Sequence, residues 1–301
     1  WPYTNVFVTN TTVGDAADDN GRFVLKDIPT GSYQLVVSRI GYELYVQDII
    51  IKAGMAKNIK IALRVKSISG SEISVTAEKN VEWKKDLFLF RSYFLGRTRN
   101  AQECKIVNPE VLSFEHSGGT GDLLASAERP LIIENKALGY RIEIILDFFR
   151  YGFAGGRYVV YPKYSEMETA SNRQQKKWQK ARRSVFFDSL RGFFYALSRG
   201  KNQDEYSISV RKQADNYAPL QNLKFQTALV DSSLTMRRLE QPTRFHVKKS
   251  GGEETDLYLK YGYVDFDANG NIYPADAIRV SGYWVKNRIA DTLPFDYSPP
   301  N

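Results

Sequence analysis

Residues 20–42 read NGRFVLKDIPTGSYQLVVSRIGY, and this stretch decides how the chain begins. Asn20-Gly21 is a turn dipeptide, because a tight hairpin turn needs positive φ and glycine adopts it without a Cβ clash. Arg22 to Lys26 alternates, with Phe23 and Leu25 on one side, which predicts a half-buried strand. Pro29-Thr30-Gly31 supplies the next turn, proline presetting φ and glycine freeing it. Tyr33, Leu35 and Val37 share one face of a second strand, closed by Gly41-Tyr42. Two such strands across a short loop predict an antiparallel hairpin.

Further along, Val46 to Ile51 and Asn58 to Leu63 add two strands around a turn at Gly54, and Ile59, Ile61 and Leu63 again alternate. The pattern includes the Asn5-Val6-Phe7-Val8 strand, Thr11-Thr12, Gly14, Gly21, Phe23, Leu25, Ile28-Pro29, Gly31, Tyr33 and Gly41-Tyr42. It resembles the carboxypeptidase regulatory-like domain, a small transthyretin-like (prealbumin-like) β-sandwich, over residues 1–65. The resemblance implies a fold more than a chemistry, since that scaffold carries unrelated roles. The family pattern has a strand ahead of Asn5–Val8, so the resemblance also implies a truncated sandwich whose first strand is missing through truncation or processing.

Residues 66–82 read as a linker, rich in Ser and Gly from Ser67 to Ser74. Ile73 to Ala77 resembles the short strand that follows this domain in TonB-dependent outer-membrane receptors, but too few residues remain for their large barrel. Residues 83–301 read as a larger β-rich domain. Its predicted strands include Val111–Glu115, Pro130–Glu134, Tyr140–Arg150, Arg157–Tyr164, Tyr206–Val210, Leu223–Val230, Thr243–Lys248, Asp256–Val264 and Ala277–Trp284. Pro162 cannot donate to a ladder, so its strand belongs at an edge or ends there. The β pattern breaks near 172–199, where Trp178, Phe186, Leu190, Phe193 and Leu197 form one apolar helical stripe. Gly192 weakens that helix and Gly200 would end it. The fold class is therefore mainly β: a truncated sandwich followed by a β-rich domain with one amphipathic helix. The segments CKIVNPE (104–110), PLIIENKALGY (130–140), GYW (282–284) and LPFDY (293–297) resemble Bacteroidetes cell-envelope proteins that carry the same domain. That likeness implies a periplasmic, outer-membrane or cell-surface location.

Composition narrows the chemistry. With one cysteine, Cys104, neither an internal disulfide framework nor a cysteine-rich zinc site can form. No apolar run approaches the roughly 18 residues a membrane-spanning helix needs. A net charge of +8 suits an anionic partner without naming one. Aromatic residues make up 13% of the chain, which suits strands.

Four constellations are candidates for function, each with a plainer reading beside it. Arg173, Lys176, Lys177, Lys180, Arg182 and Arg183 form a basic block with no acid among them; it could grip phosphates or an anionic membrane surface, or simply face solvent. Nucleic acid is not expected, for want of a recognition motif with exposed stacking aromatics. Asp265, Asp267, Asn269 and Asp276 have the spacing of a calcium loop. Flanking strands and Pro274 favour a hairpin turn at Asn269-Gly270 instead. Asp15, Asp18 and Asp19 form a weaker version of the same pattern. Trp83, Trp178 and Trp284 could stack on sugar rings, although most tryptophans are packing residues. His116, beside the glycine-rich run to Asp122, and His246 are the only histidines. Neither sits in a zinc-protease motif, and neither a G-x-S-x-G elbow nor a phosphate-binding P-loop occurs.

The reading that follows is a non-catalytic cell-envelope protein with a structural or binding role, no cofactor, and an envelope component or glycan as partner. Alternatives are a carbohydrate-binding accessory protein, a relative of the N-terminal extension of TonB-dependent receptors, and a hydrolase with an unrecognised site.

Overall fold

The computed structural model describes residues 2, 4–66, 81–200, 206–213, 216–219, 226–231, 234–240 and 243–300. It is mainly β, with several antiparallel sheets. Two compact units divide the chain. The first comprises Trp1–Pro29, Tyr33–Trp178 and Arg288–Asp296; the second comprises Thr30–Ser32, Gln179–Asn287 and Tyr297–Asn301. The expected linker at 66–82 falls largely on 67–80, outside the described residues, and Val81 and Glu82 already belong to a helix.

The first unit opens with β1 (Asn5–Val8), β2 (Gly14–Ala16), β3 (Gly31–Ser38) and β4 (Tyr45–Ile51), in sheet order β2-β1-β3-β4. Its core is Val6, Val8, Tyr33, Leu35, Val37 and Ile49. Phe23, Leu25 and Ile28 cover that core together with Ile59, Ile61 and Leu63. Alternation thus identified the right apolar face, yet neither covering segment is a strand. The expected hairpin between 22–26 and 33–37 does not form; β3 instead pairs with β1, from Asn5↔Ser38 to Val8↔Leu35. The reason lies in where the backbone hydrogen bonds go. Asp18 Oδ1 accepts from the amides of Asn20 and Arg22, Asp15 Oδ2 accepts from Val24 N, and Asp27 takes a positive φ of 57°. Side-chain acceptors have replaced a ladder partner. In the second covering segment only the end is bridged, Tyr42 facing Val65.

Next come α1 (Val81–Phe94), α2 (Arg99–Gln102), β5 (Cys104–Ile106), β6 (Leu112–His116), β7 (Leu123–Ala127), β8 (Leu131–Asn135), β9 (Tyr140–Gly152) and β10 (Gly155–Glu166). The strands form one sheet, order β5-β8-β9-β7-β6, with β10 also on β9. The long strand β9 organises it. One edge is shared, its first half taken by β8 and Arg150-Tyr151 by β7; the other pairs with β10 throughout, across a bulge at Val159/Val160. Helix α1 was not expected. Asp86, Phe90 and Phe94 recur every four residues and are its buried positions; Phe90 packs 4.6 Å from Phe149 and Phe94 packs 5.1 Å from Tyr158. The run LFLF within it, apolar throughout, hides that period from a strand-oriented reading.

Pro162 does lie in an edge strand, and its carbonyl is used. Asn10 N donates to Pro162 O at 2.7 Å, Tyr164 N donates to Thr11 O at 2.9 Å, and Thr11 bridges Lys163 in parallel. These bonds dock the N-terminal sheet on β10. The returning segment Arg288–Asp296 is stitched to the same unit: Ala290 N donates to Leu95 O, Asp291 accepts from Thr98 Oγ1 and Asn100 Nδ2, and Phe295 N donates to Asn10 O.

The helical region expected as one helix is two, α3 (Asn172–Phe187) and α4 (Leu190–Ser198). The boundary between the compact units falls inside α3. Ser189 caps α4 by accepting from Gly192 N at 3.1 Å, which supplies a start signal where a continuous helix was expected. Gly192 makes the corner possible, because a Cβ there would fall on Phe186 O and 2.9 Å from Phe187 Cα.

The second unit adds β11 (Tyr206–Gln213), β12 (Asn216–Pro219), β13 (Gln226–Asp231), β14 (Leu234–Leu239), β15 (Arg244–Lys249), β16 (Glu254–Leu259), β17 (Val264–Phe266), β18 (Ile272–Tyr273) and β19 (Ile278–Gly282). They form sheets of order β12-β11-β15-β16-β19 and β13-β14-β17-β18. The single strand expected at Asp256–Val264 is divided between β16 and β17, with Gly262 at φ 78° in the break. Phe193, Phe194 and Leu197 of α4 share one core with Phe245, Leu257, Phe266 and Trp284.

Candidate functional site

The glycine-rich loop after β6 brings together a polar cluster in the first unit. His116 ends β6, and α1 carries the buried Asp86 to it, Nε2 lying 3.1 Å from Oδ1. The other ring nitrogen, Nδ1, faces Gly121 O at 3.4 Å. Both neighbours are pure acceptors, so the doubly protonated ring satisfies both at once. The carbonyl of Gly121 and then the Asp86 carboxylate push the His116 pKa up from its ordinary value. Ser117 is equally committed. Its hydroxyl pairs with Thr120 Oγ1 at 2.7 Å and accepts from Asp122 N at 3.0 Å. Asp122 is held by Arg150 Nε at 2.6 Å, and the Thr120 and Arg150 bonds keep its carboxyl below the usual range. The result is a loop clamp: α1 to β6 through His116, and the loop to β9 through Arg150.

The sign of the pH effect follows. A group whose folded pKa is raised stabilises most below its unfolded pKa, near 6.5, and that contribution is lost as pH rises through the folded value. The His116 ring resonances are expected to titrate above the ordinary histidine value. Asp86→Asn should bring that midpoint down, as proton NMR would show; an unchanged midpoint would refute the clamp.

His246 lies in the second unit, on β15. Its Nδ1 is 3.0 Å from Oδ1 of its cross-strand partner Asp256, and Lys248 pairs with Glu254 at 2.8 Å on the same strands. This is a cross-strand charge ladder of the kind that supports sheets.

The acidic loop is engaged by protein donors. Arg238 grips Asp265 with two bonds, at 2.7 and 2.8 Å. Asp267 accepts from the amides of Asn269 and Asn271 and from Asn271 Nδ2. Burial raises the Asp267 carboxyl pKa, while those bonds pull the other way. Asp276 takes Lys260 and Tyr261. Asn269-Gly270 makes the tight turn between β17 and β18, with Gly270 at φ 79°. Among the described residues no three potential metal ligands of the His, Cys, Asp or Glu type come together.

Two of the three candidate tryptophans are packing residues. Trp178 is 7% exposed, lies on Gly139, and donates to Lys136 O at 2.8 Å. Trp284 is 5% exposed and packs 5.8 Å from Phe193. Neither presents a ring face to a sugar. Trp83 is half-buried, donating to Leu112 O.

On α3 the basic block separates by helical phase. Trp178, Arg182 and Phe186, four residues apart, are buried. Arg182 is therefore withdrawn from the candidate surface. Arg173, Lys176, Lys177, Lys180 and Arg183 are exposed on the opposite side. Of these, Lys177 lies 3.7 Å from Glu103 and Arg183 donates to Pro300 O.

Cys104 is buried, and desolvation, with the Asp291 charge adding to it, pushes its thiol up to about 12. The folded chain is expected to resist iodoacetamide at neutral pH and to react once unfolded in guanidinium, read by intact mass. Rapid labelling of the folded chain would contradict this burial.

The CarboxypepD_reg-like domain is a β-sandwich-type domain of a non-catalytic, regulatory or binding class. Residues 2–75 match the family model of the CarboxypepD_reg-like domain. No curated protein and no solved structure matches the chain.

Proposed function

We propose that this chain is a non-catalytic binding protein of the cell envelope whose partner is an anionic envelope polymer or glycan. The observation that carries the reading is the phase of α3, which sets five exposed cations on one face, opposite a buried Trp178–Arg182–Phe186 stripe. A face rich in cations attracts polyanions over a Debye length of about 8 Å at physiological salt. The CarboxypepD_reg-like module supports a binding role, and the engaged nitrogens of His116 support a structural role for that ring. Envelope placement rests on the sequence resemblance, and detection in periplasmic or outer-membrane fractions tests it.

Titration against heparin, as a model polyanion, is the direct test. Lys176→Glu with Lys180→Glu should weaken binding roughly tenfold or more, and salt should weaken the parent chain. Unchanged affinity would remove α3 as the binding face. A hydrolytic turnover lost on His116→Asn would overturn the non-catalytic reading.

A further inference from the structure

Among the exposed apolar side chains of the first unit, which also include Val24, Ile40 and Val65, two groups lie on neighbouring elements of the large sheet. One is the tip of the β9–β10 hairpin. Phe153 is 109% exposed there, between Gly152 and Gly155-Gly156. The other is the outward face of α1, where Val81 (71%), Phe88 (69%) and Leu89 (39%) are exposed. Val81, Lys84, Lys85 and Phe88 are spaced i, i+3, i+4, i+7, so they share one face, opposite the buried Asp86, Phe90 and Phe94. Contacts within the unit bring these elements to one end of the sheet. Asp86 of α1 holds His116, the loop that follows holds Arg150 through Asp122, and Asp122 also lies against Gly152 at the base of the tip. Tyr93 of α1 bonds Gly156 O, and its ring lies tilted 4.8 Å from that of Tyr151.

Exposed cations flank this apolar surface, and Glu82 of α1 is an exposed acid beside them. Lys84, Lys85 and Arg157 are exposed and make no ion pair among the described residues. Arg157 lies directly across the ladder from Arg150, a like-charge pairing that disfavours the hairpin unless an anion lies over it; Asp122 answers only Arg150. Exposed aromatic and aliphatic groups next to lysine and arginine match the boundary of a bilayer, where acyl chains meet anionic headgroups.

We propose that the β9–β10 tip and the outer face of α1 form an interfacial docking surface for an anionic lipid bilayer. Phe153 and Phe88 enter the headgroup–acyl boundary, and Lys84, Lys85 and Arg157 meet lipid phosphates. The envelope reading above supplies the bilayer, but the surface is separate from the α3 face and can fail alone.

Sedimentation of the full chain with vesicles decides it. Vesicles of phosphatidylglycerol and phosphatidylcholine should retain the chain, and phosphatidylcholine alone should retain about tenfold less. Phe88→Ser with Phe153→Ser should reduce partitioning about tenfold or more while leaving thermal unfolding and heparin affinity unchanged, since both side chains are solvent-exposed. Phe153→Trp should shift its emission to the blue on anionic vesicles and be quenched by brominated lipid. Three outcomes would overturn the proposal: no vesicle binding, equal retention on neutral vesicles, or partitioning indifferent to the double substitution. Vesicle binding without heparin binding would sink the α3 reading and leave this one standing; the reverse pattern would do the opposite.

Discussion

Phe193→Ala is expected to destabilise the second unit by about 3–5 kcal/mol, the range for deleting a fully buried aromatic side chain. Phe193 has no exposed surface, and its ring lies 5.2 Å from Phe194 and from Tyr206, and 5.8 Å from Trp284. Removing it leaves a cavity where α4 meets β11, β15 and the turn that follows β19. The loss has two parts, apolar area returned to water and contacts forfeited by the cavity lining. Urea unfolding followed by tryptophan fluorescence is the readout, because Trp284 forms part of the cavity wall. A midpoint moved by less than about 1 kcal/mol equivalent would mean that α4 is not the keystone of this core.

Gly270→Ala is expected to lose about 2–4 kcal/mol, from two causes acting together. Gly270 sits at φ 79°, where an L side chain is strained. A Cβ there would also fall on Arg191 O and lie 2.7 Å from Tyr195 N, both backbone atoms of α4 that cannot swing aside. Gly252→Ala separates the causes. Gly252 has φ 94° but nothing within 4 Å of a built Cβ, so only the conformational strain of about 1–2 kcal/mol applies. Equal effects at the two glycines would show that the α4 approach is not close.

These two sites also show how far the sequence could be read. Asn269-Gly270 was legible as a hairpin turn, because positive φ is a local demand that glycine meets. That its glycine also admits α4 was not legible, since the approaching backbone lies about eighty residues earlier in the chain. Gly192 is a similar case. Its helix penalty was plain, but the corner between α3 and α4 that uses the missing Cβ depends on Ser189 as a cap. The strand runs of β9 and β10 could be read because their alternation is long. Helix α1 could not, because the apolar LFLF run carries no strand or helix period of its own and only Asp86, Phe90 and Phe94 do.

For the candidate sites the division is sharper. Residue type and spacing drew attention to Asp265, Asp267 and Asp276, but spacing cannot say who answers a carboxylate. Arg238, Asn271 and Lys260 do so across strands and turns. His116 was visible beside its glycine-rich loop, whereas Asp86, thirty residues earlier, became its partner only through the packing of α1 on the sheet. By itself the sequence determined the mainly β class, the N-terminal regulatory-like module and local turns such as Asn20-Gly21 and Asn269-Gly270, because alternation and glycine or proline placement act over a few residues. The tertiary structure alone decided which strands pair, which charges neutralise each other and which aromatic rings remain outside, because those outcomes depend on partners far apart in the chain.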